Sequence, residues 1–279
     1  MDEQTRKQQI QNTFNTACEG YDRDPLRFFR LAAEGLPEMH RLHGDEHVLD
    51  VAAGTGTPAM ALAPHLPRGR LTGVDFSEGM LAQARAKAAE QNHTHVDFQL
   101  MDMTAMSLPE DHFDAANCSF GIFFVEDMEG LTRHIAGKLK PGGHLVTCHF
   151  LEGSFAPLAD LFIQRMNSYG VEMPPPGWMR LGNETLNRAL LEAAGLENIE
   201  TMEREISYHY DSPEQWWELV WYAGFRGFLM QLNEEQLAEF KRDHLAEIAA
   251  QATAEGIPLQ MRIIYTRGHK PESNGRCLP

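Results

Sequence analysis

Between residues 48 and 150, short apolar runs alternate with longer stretches whose apolar positions recur at helical spacing. HVLDVA, RLTGVDF, VDFQLMD, FDAANCSF and HLVTCHF are each bounded by Gly, Pro or Asp, the pattern of buried strands. Helical segments at 58–65, 78–91 and 128–139 separate them. Strands alternating with helices predict an α/β fold, with a mostly parallel sheet covered on both faces. Ligands of such open sheets bind at the carboxyl ends of the strands. That rule puts Asp50, Asp75, Asp102, Ser119 and His149 on one rim.

On either side of this core the pattern changes. Residues 2–43 read as helical, with Phe14, Tyr21, Phe28 and Phe29 supplying apolar contacts. The triple proline of MPPPGWM, 173–179, fits neither a regular helix nor a central strand. A helix near 183–194 and a strand near 199–208 follow, then helices over 212–230 and from Asn233 to about 254. Ser212, Pro213 and Gln215 have the spacing of a capping box with Pro in the first turn. QMRIIYTRG, 260–268, is the last expected strand, and HKPESNGRCLP, 269–279, is expected to be a disordered tail.

The stretch VLDVAAGTGTPA, 48–59, carries the first chemistry. Gly54 and Gly56 allow a sharp turn and a close backbone approach. Thr57 reads as the cap of the next helix and Pro58 as its first residue. A helix start so placed favours an anion: the pyrophosphate of a dinucleotide, or the methionine carboxylate of S-adenosylmethionine (SAM). G-x-G-x-x-A with the later Asp75 supports an NAD-dependent oxidoreductase. Asp50, just before the loop, opposes a pyrophosphate but pairs with an ammonium. Asp75 suits a ribose diol, and Asp102 an adenine amino group whose faces Phe76 and Met103 cover. Each acid alone is an ordinary cap or loop residue. Three in order at successive strand ends suit a cationic nucleoside better than a diphosphate.

The series VLDVAAGTGTPAM, GVDFSEGMLAQARAK, LMDMTAMSLPEDHFD, SFGIFFVEDMEGL and KLKPGGHLV resembles the class I SAM-dependent methyltransferases. It is most like the ubiquinone/menaquinone-biosynthesis C-methyltransferase group and its small-molecule relatives, and TFNTACEGYD, 13–22, looks like that group's N-terminal lid. The resemblance implies a seven-stranded Rossmann-like sheet with its last strand antiparallel. It also implies a helical lid at 1–43 and a SAM-binding core at 44–152. Substrate-side loops and helices with the last strands would then occupy 153–268. Cofactor contacts would come from Tyr21, Asp50, Ala52, Gly54, Gly56, Asp75, Phe76, Met80, Asp102 and Met103, with Cys118 and Ser119 at the methionine end. Ala52 stands where many members have the first glycine. Phe123-Phe124 stands where the quinone enzymes have Arg-Asn, which weakens the quinone assignment and leaves the methyltransferase reading intact.

Methyl transfer from a sulfonium needs alignment first, and a base only if the nucleophile holds its proton. His149 is the candidate base, although a buried, hydrogen-bonded His is the more ordinary role. Phe123, Phe124, Trp178, Trp217 and Trp221 are candidates for an apolar acceptor pocket, while the aromatic helix carrying the last two would equally suit core packing or a subunit interface. The four cysteines, Cys18, Cys118, Cys148 and Cys277, form no C-x-x-C pair, so neither a zinc site nor a disulfide framework is expected. A net charge of -16 disfavours nucleic acid, and no apolar run approaches a membrane span. The expectation is a cytoplasmic SAM-dependent methyltransferase for a small, apolar or aromatic metabolite, with a second copy of the chain as a candidate partner. The alternative from another class is a SAM-binding regulatory protein without transferase activity.

Overall fold

The computed structural model describes residues 3–171 and 177–272. Three helices, α1 (Glu3–Ala17), α2 (Phe28–Ala33) and α3 (Leu36–His40), precede the first strand. Then come β1 (His47–Val51), α4 (Thr57–Leu62), β2 (Arg70–Asp75), α5 (Glu78–Glu90), β3 (Val96–Leu100), β4 (Phe113–Ser119), α6 (Met128–Lys138) and β5 (Leu139–Phe150). The second half supplies α7 (Leu158–Ser168), α8 (Glu184–Ala193), β6 (Glu197–Tyr210), α9 (Pro213–Tyr222), α10 (Arg226–Leu229), α11 (Glu234–Ala249) and β7 (Ile257–His269).

The seven strands form one sheet in the order β3-β2-β1-β4-β5-β7-β6, with β7 antiparallel to both neighbours. Val48, Leu49 and Val51 of β1 and Ala115 and Ala116 of β4 are fully buried, because helices cover both faces of a parallel sheet. The chain steps outward from β1 to β3, then returns to β4 on the other side of β1. This reversal opens a crevice between the carboxyl ends of β1 and β4. Register places Asp50 beside Gly73 of β2 and Asn117 of β4.

The ends of several elements differ from expectation. Gly56, at φ 80°, occupies the cap position of α4, so Thr57 is its first helical residue. The aromatic helix expected over 212–230 breaks after Tyr222: Ala223 is extended, Gly224 follows, and α10 starts at Arg226. The break turns Phe225 against Phe162 and Trp216, half-burying an aromatic that a straight helix would carry elsewhere. Ser212 makes no side-chain cap; Gln215 Oε1 accepts from the Asp211 amide at 2.7 Å. Asn233 forms a full capping box with Gln236, and α11 ends at Ala249, short of 254. The triple proline and residues 273–279, with Cys277, lie outside the described residues. Among the described residues no helix is long and apolar enough to cross a membrane.

Candidate active site

Three residues in left-handed backbone, Ala52 (φ 56°), Gly54 (φ 55°) and Gly56 (φ 80°), turn the chain from β1 into α4. The two glycines do different work. A Cβ on Gly56 would lie 2.9 Å from the Ala84 Cβ, so this glycine lets the loop pack on α5. A Cβ on Gly54 would meet nothing within 4 Å, because its backbone faces an open cleft. Asp75, at the end of β2, accepts from the amides of Gly54 and Ser77, each at 2.9 Å. It thereby fixes the loop while still lining the cleft. Burial pushes its pKa up, against the pull of those amides.

Asp102 follows β3. Burial alone would raise its pKa, but hydrogen bonds from Thr104 and Lys7 outweigh it and leave the carboxyl below its ordinary range. The Thr104 amide and hydroxyl both lie 2.8 Å from Asp102 Oδ1, and Lys7 Nζ lies 3.2 Å from Oδ2. Lys7 belongs to α1, which crosses this end of the cleft. Gln11 Nε2 donates to the Phe76 carbonyl at 2.5 Å, and Asn15 Oδ1 accepts from Ser77 Oγ at 2.7 Å. Beyond α1, Asp22 accepts from Thr55 Oγ1 at 2.8 Å and pairs with Lys87 at 2.7 Å, tying this segment to the glycine loop and α5.

The cleft beneath these contacts spans about 1080 Å³, part of it open to solvent. Of the residues expected from sequence, Tyr21, Ala52, Gly54, Asp75, Phe76, Met80, Asp102, Met103, Ser119 and Phe124 line it. Away from the acids its wall is aromatic. Tyr21 stacks on Phe29 at 4.8 Å, Phe29 meets Phe120 edge-on at 5.4 Å, and Phe124 meets Phe14 at 5.3 Å. Phe120 holds a left-handed φ of 54° and stacks on Phe150 at 4.4 Å. Nothing in the sequence pattern marks Lys7, Asn15, Asp22, Phe29 or Phe120 as a site residue; the nearest signal is the lid-like stretch TFNTACEGYD, which contains Asn15 and Asp22.

Other expected residues lie elsewhere. Asp50 and Cys118 are fully buried beneath the cleft, and Gly56 packs behind it. Asp50 Oδ1 accepts from Asn117 Nδ2 at 2.7 Å, and its Oδ2 has no hydrogen-bond partner among the described residues. Burial pushes its pKa up to about 7, the Asn117 amide pulling the other way. His149 is also buried, and its Nδ1 lies 2.7 Å from Asn187 Oδ1 of α8. Burial lowers its pKa to about 4. Alternation along β5 explains the placement: Phe150 joins the aromatic wall, so His149 faces the other side of the sheet. Phe123 packs toward His149 at 6.2 Å, and Trp178 meets Phe150 edge-on at 6.1 Å. Trp217 and Trp221 stack on each other at 6.1 Å, with Trp217 against Phe240 of α11, so they belong to the packing of the helical insertion.

The donor set fits a nucleoside carrying an amino acid. One carboxylate lies at each of two adjacent strand ends, an open backbone stretch at Gly54 faces the cleft, and a buried carboxylate with an orphaned oxygen lies beneath. Comparison with known proteins agrees. Residues 48–143 match a family model described as a methyltransferase domain. An aklanonic acid methyltransferase of Streptomyces sp. (strain C5) is 26% identical over 197 residues, 68% of this chain and 90% of that protein. These likenesses support a class I SAM-dependent methyltransferase.

A demethylmenaquinone methyltransferase of Listeria monocytogenes serotype 4a (strain HCC23) is 30% identical over 147 residues, 51% of this chain and 62% of that enzyme. Among solved structures, the YcgJ protein of Bacillus subtilis shares the fold, with a TM-score of 0.57 at 22% identity over 86% of this chain and 98% of that one. The methyltransferase therefore takes SAM as its cofactor, which settles the choice that the glycine loop left open between SAM and a dinucleotide. When bound, SAM supplies a methyl group already activated on a sulfonium. The chain's own part is to hold the nucleoside, orient the methionine end and exclude water.

Proposed function

We propose that this methyltransferase acts on a small, apolar or aromatic acceptor seated against Tyr21, Phe29, Phe120 and Phe124. The observation carrying this reading is the continuity of that aromatic wall with the acid-lined end of one cleft. At the cofactor end, Asp75 is assigned to the ribose hydroxyls, Asp102 to the adenine amino group, and Phe76 and Met103 to its faces. Aligning two reactants in such a cleft contributes roughly 7–11 kcal/mol of barrier lowering without a dedicated base. Tyr21, whose pKa is raised by burial and by Asp75, stays protonated and acts as a hydrogen-bond donor to the acceptor. With His149 turned away, an acceptor that ionises by itself at neutral pH suits this site best. The net charge of -16 supports a free metabolite over a nucleic acid as the partner.

The relatives' names supply aklanonic acid and demethylmenaquinone as two acceptors to test first. Isotope-labelled SAM is incubated with the enzyme, each of these compounds and a fractionated metabolite extract. Label recovered in an apolar or aromatic product is expected. Transfer found only into a strongly charged, non-aromatic metabolite would overturn the assignment of the acceptor wall.

A further inference from the structure

Asn117 is absent from the residues that touch the cleft, yet it joins two that matter there. Parallel register sets Asp50 and Asn117 side by side on β1 and β4. Asn117 Nδ2 lies 2.7 Å from Asp50 Oδ1, and Ser119 Oγ lies 3.3 Å from Asn117 Oδ1. Hydrogen-bond polarity then runs in one direction. An ionised carboxylate only accepts, so Asn117 must present its amide N–H to Asp50. Its carbonyl oxygen is left facing Ser119, whose hydroxyl must donate to it. Ser119 lines the cleft, so its remaining lone pairs face a ligand that brings a donor.

We infer that Asn117 is a positioning residue: through it, buried Asp50 sets the Ser119 hydroxyl as an acceptor for the ammonium group of the cofactor's methionine end. The inference rests on the methyltransferase reading and goes beyond it by assigning a role to a side chain outside the cleft. Protonating Asp50 removes the constraint, since a carboxylic acid can donate to Asn117 and let the chain reverse. A cationic ligand therefore favours the carboxylate form, and ligand affinity rises with pH until the free protein's Asp50 is ionised. The ionisable groups facing Asp50 are Asp75 at the end of β2 and the Cys118 thiol on β4. His40 of α3 lies against the Asn117 carboxamide, with His144 of β5 at 3.1 Å behind it and Arg267 of β7 nearby. Burial lowers the pKa of His40 to about 3 and that of His144 to about 2, so both stay neutral through the range that matters.

The test compares S-adenosylhomocysteine, which keeps the amino-acid end, with 5′-methylthioadenosine, which lacks it. Both are titrated into the full chain by calorimetry between pH 5.5 and 8.5. Wild-type affinity for S-adenosylhomocysteine is expected to rise across this window, and affinity for 5′-methylthioadenosine to stay level. In Asn117→Leu, Asp50 loses its donor and holds its proton to higher pH. The S-adenosylhomocysteine profile therefore moves upward in pH, with about a tenfold to hundredfold loss at pH 7 that partly recovers at pH 8.5. Ligand ionisations are common to both proteins and cancel in the comparison. A purely structural role would instead lower affinity equally at every pH, or weaken both ligands by one factor, and either result overturns the inference. Should Asn117→Leu fail to fold, Ser119→Ala carries the test: about a tenfold loss for S-adenosylhomocysteine alone supports it, and an unchanged affinity overturns it. Wild-type protein that binds neither ligand would overturn the methyltransferase reading itself, and this inference with it.

Discussion

Asp50→Asn is expected to make the ligand-free protein more stable at pH 8 and a poorer binder of cofactor. Burial raises the Asp50 pKa from its ordinary 3.8 to about 7. At about 1.36 kcal/mol per pKa unit, holding the charged form inside the fold costs about 4 kcal/mol. The sign follows from linkage. Below pH 3.8 the carboxyl is protonated in both folded and unfolded chains and costs nothing. Between that point and about pH 7 the unfolded chain ionises first, so stability falls as pH rises. Above pH 7 the cost is complete and level. The carboxamide that replaces the carboxyl does not titrate, but it brings a donor to a buried site, which returns about 1–3 kcal/mol of the gain. A net advantage of about 1–3 kcal/mol at pH 8 remains, a few degrees in Tm for a chain of this size. Paired thermal melts of wild type and variant at pH 4, 5, 6, 7 and 8 read it directly. The difference in Tm should grow from pH 4 to pH 7 and then level, while S-adenosylhomocysteine affinity at pH 8 drops at least tenfold. A difference that is flat with pH, or a variant less stable at pH 8, refutes the argument that Asp50 is held ionised at a cost for the sake of ligand.

Other expectations follow from single contacts. Gly121→Ala would set a Cβ 2.7 Å from Ala52 Cβ and 3.1 Å from Cys118 Sγ, and is expected to cost about 1–3 kcal/mol. Ala52→Gly, which also relieves a left-handed φ, should recover much of that loss; strictly additive thermal melts across the four proteins would sink this. His149→Leu strands the Asn187 side-chain oxygen and is expected to lower stability by about 1–3 kcal/mol while leaving kcat within about threefold. A hundredfold loss of kcat in the folded variant would restore His149 as a catalytic base. Gly20→Ala drives a methyl into the Tyr222 ring of α9 and is expected to push the N-terminal segment away from that helix. Stopped-flow should show S-adenosylhomocysteine leaving several-fold faster, with Tyr222→Ala rescuing the rate; an unchanged off-rate argues that the lid does not gate the cleft.

The sheet is readable from the chain because its signal is local and repeated. Five apolar runs bounded by Gly, Pro and Asp became five parallel strands, and QMRIIYTRG became the antiparallel strand between β5 and β6. Where reading fails, the deciding energy lies in distant contacts. Nothing in EQWWELVWYAGFRGF marks the helix break after Tyr222 except Gly224; the break forms because Phe225 reaches Phe162 on α7. Ser212 has the spacing of a cap and does not cap, since Gln215 satisfies the Asp211 amide instead.

The site divides along the same line. Asp75 and Asp102 follow strands whose ends form the rim, so their places follow from topology alone. Asp50 and His149 fall on the expected strands but not in the cleft. A strand presents alternate residues to opposite faces, and which face a given residue takes depends on register with its neighbours. Asp50 meets Asn117 across β4, and His149 meets Asn187 across α8, pairings separated by 67 and 38 residues. The contacts of Lys7 and Asn15 on α1 and of Asp22 after it span similar separations, and polar residues in such a segment look the same whether they face water or a partner. What distinguishes Asp50 physically is cost. A carboxyl fully buried with one oxygen unpartnered among the described residues opposes folding, and that cost is what the Asp50→Asn melts read.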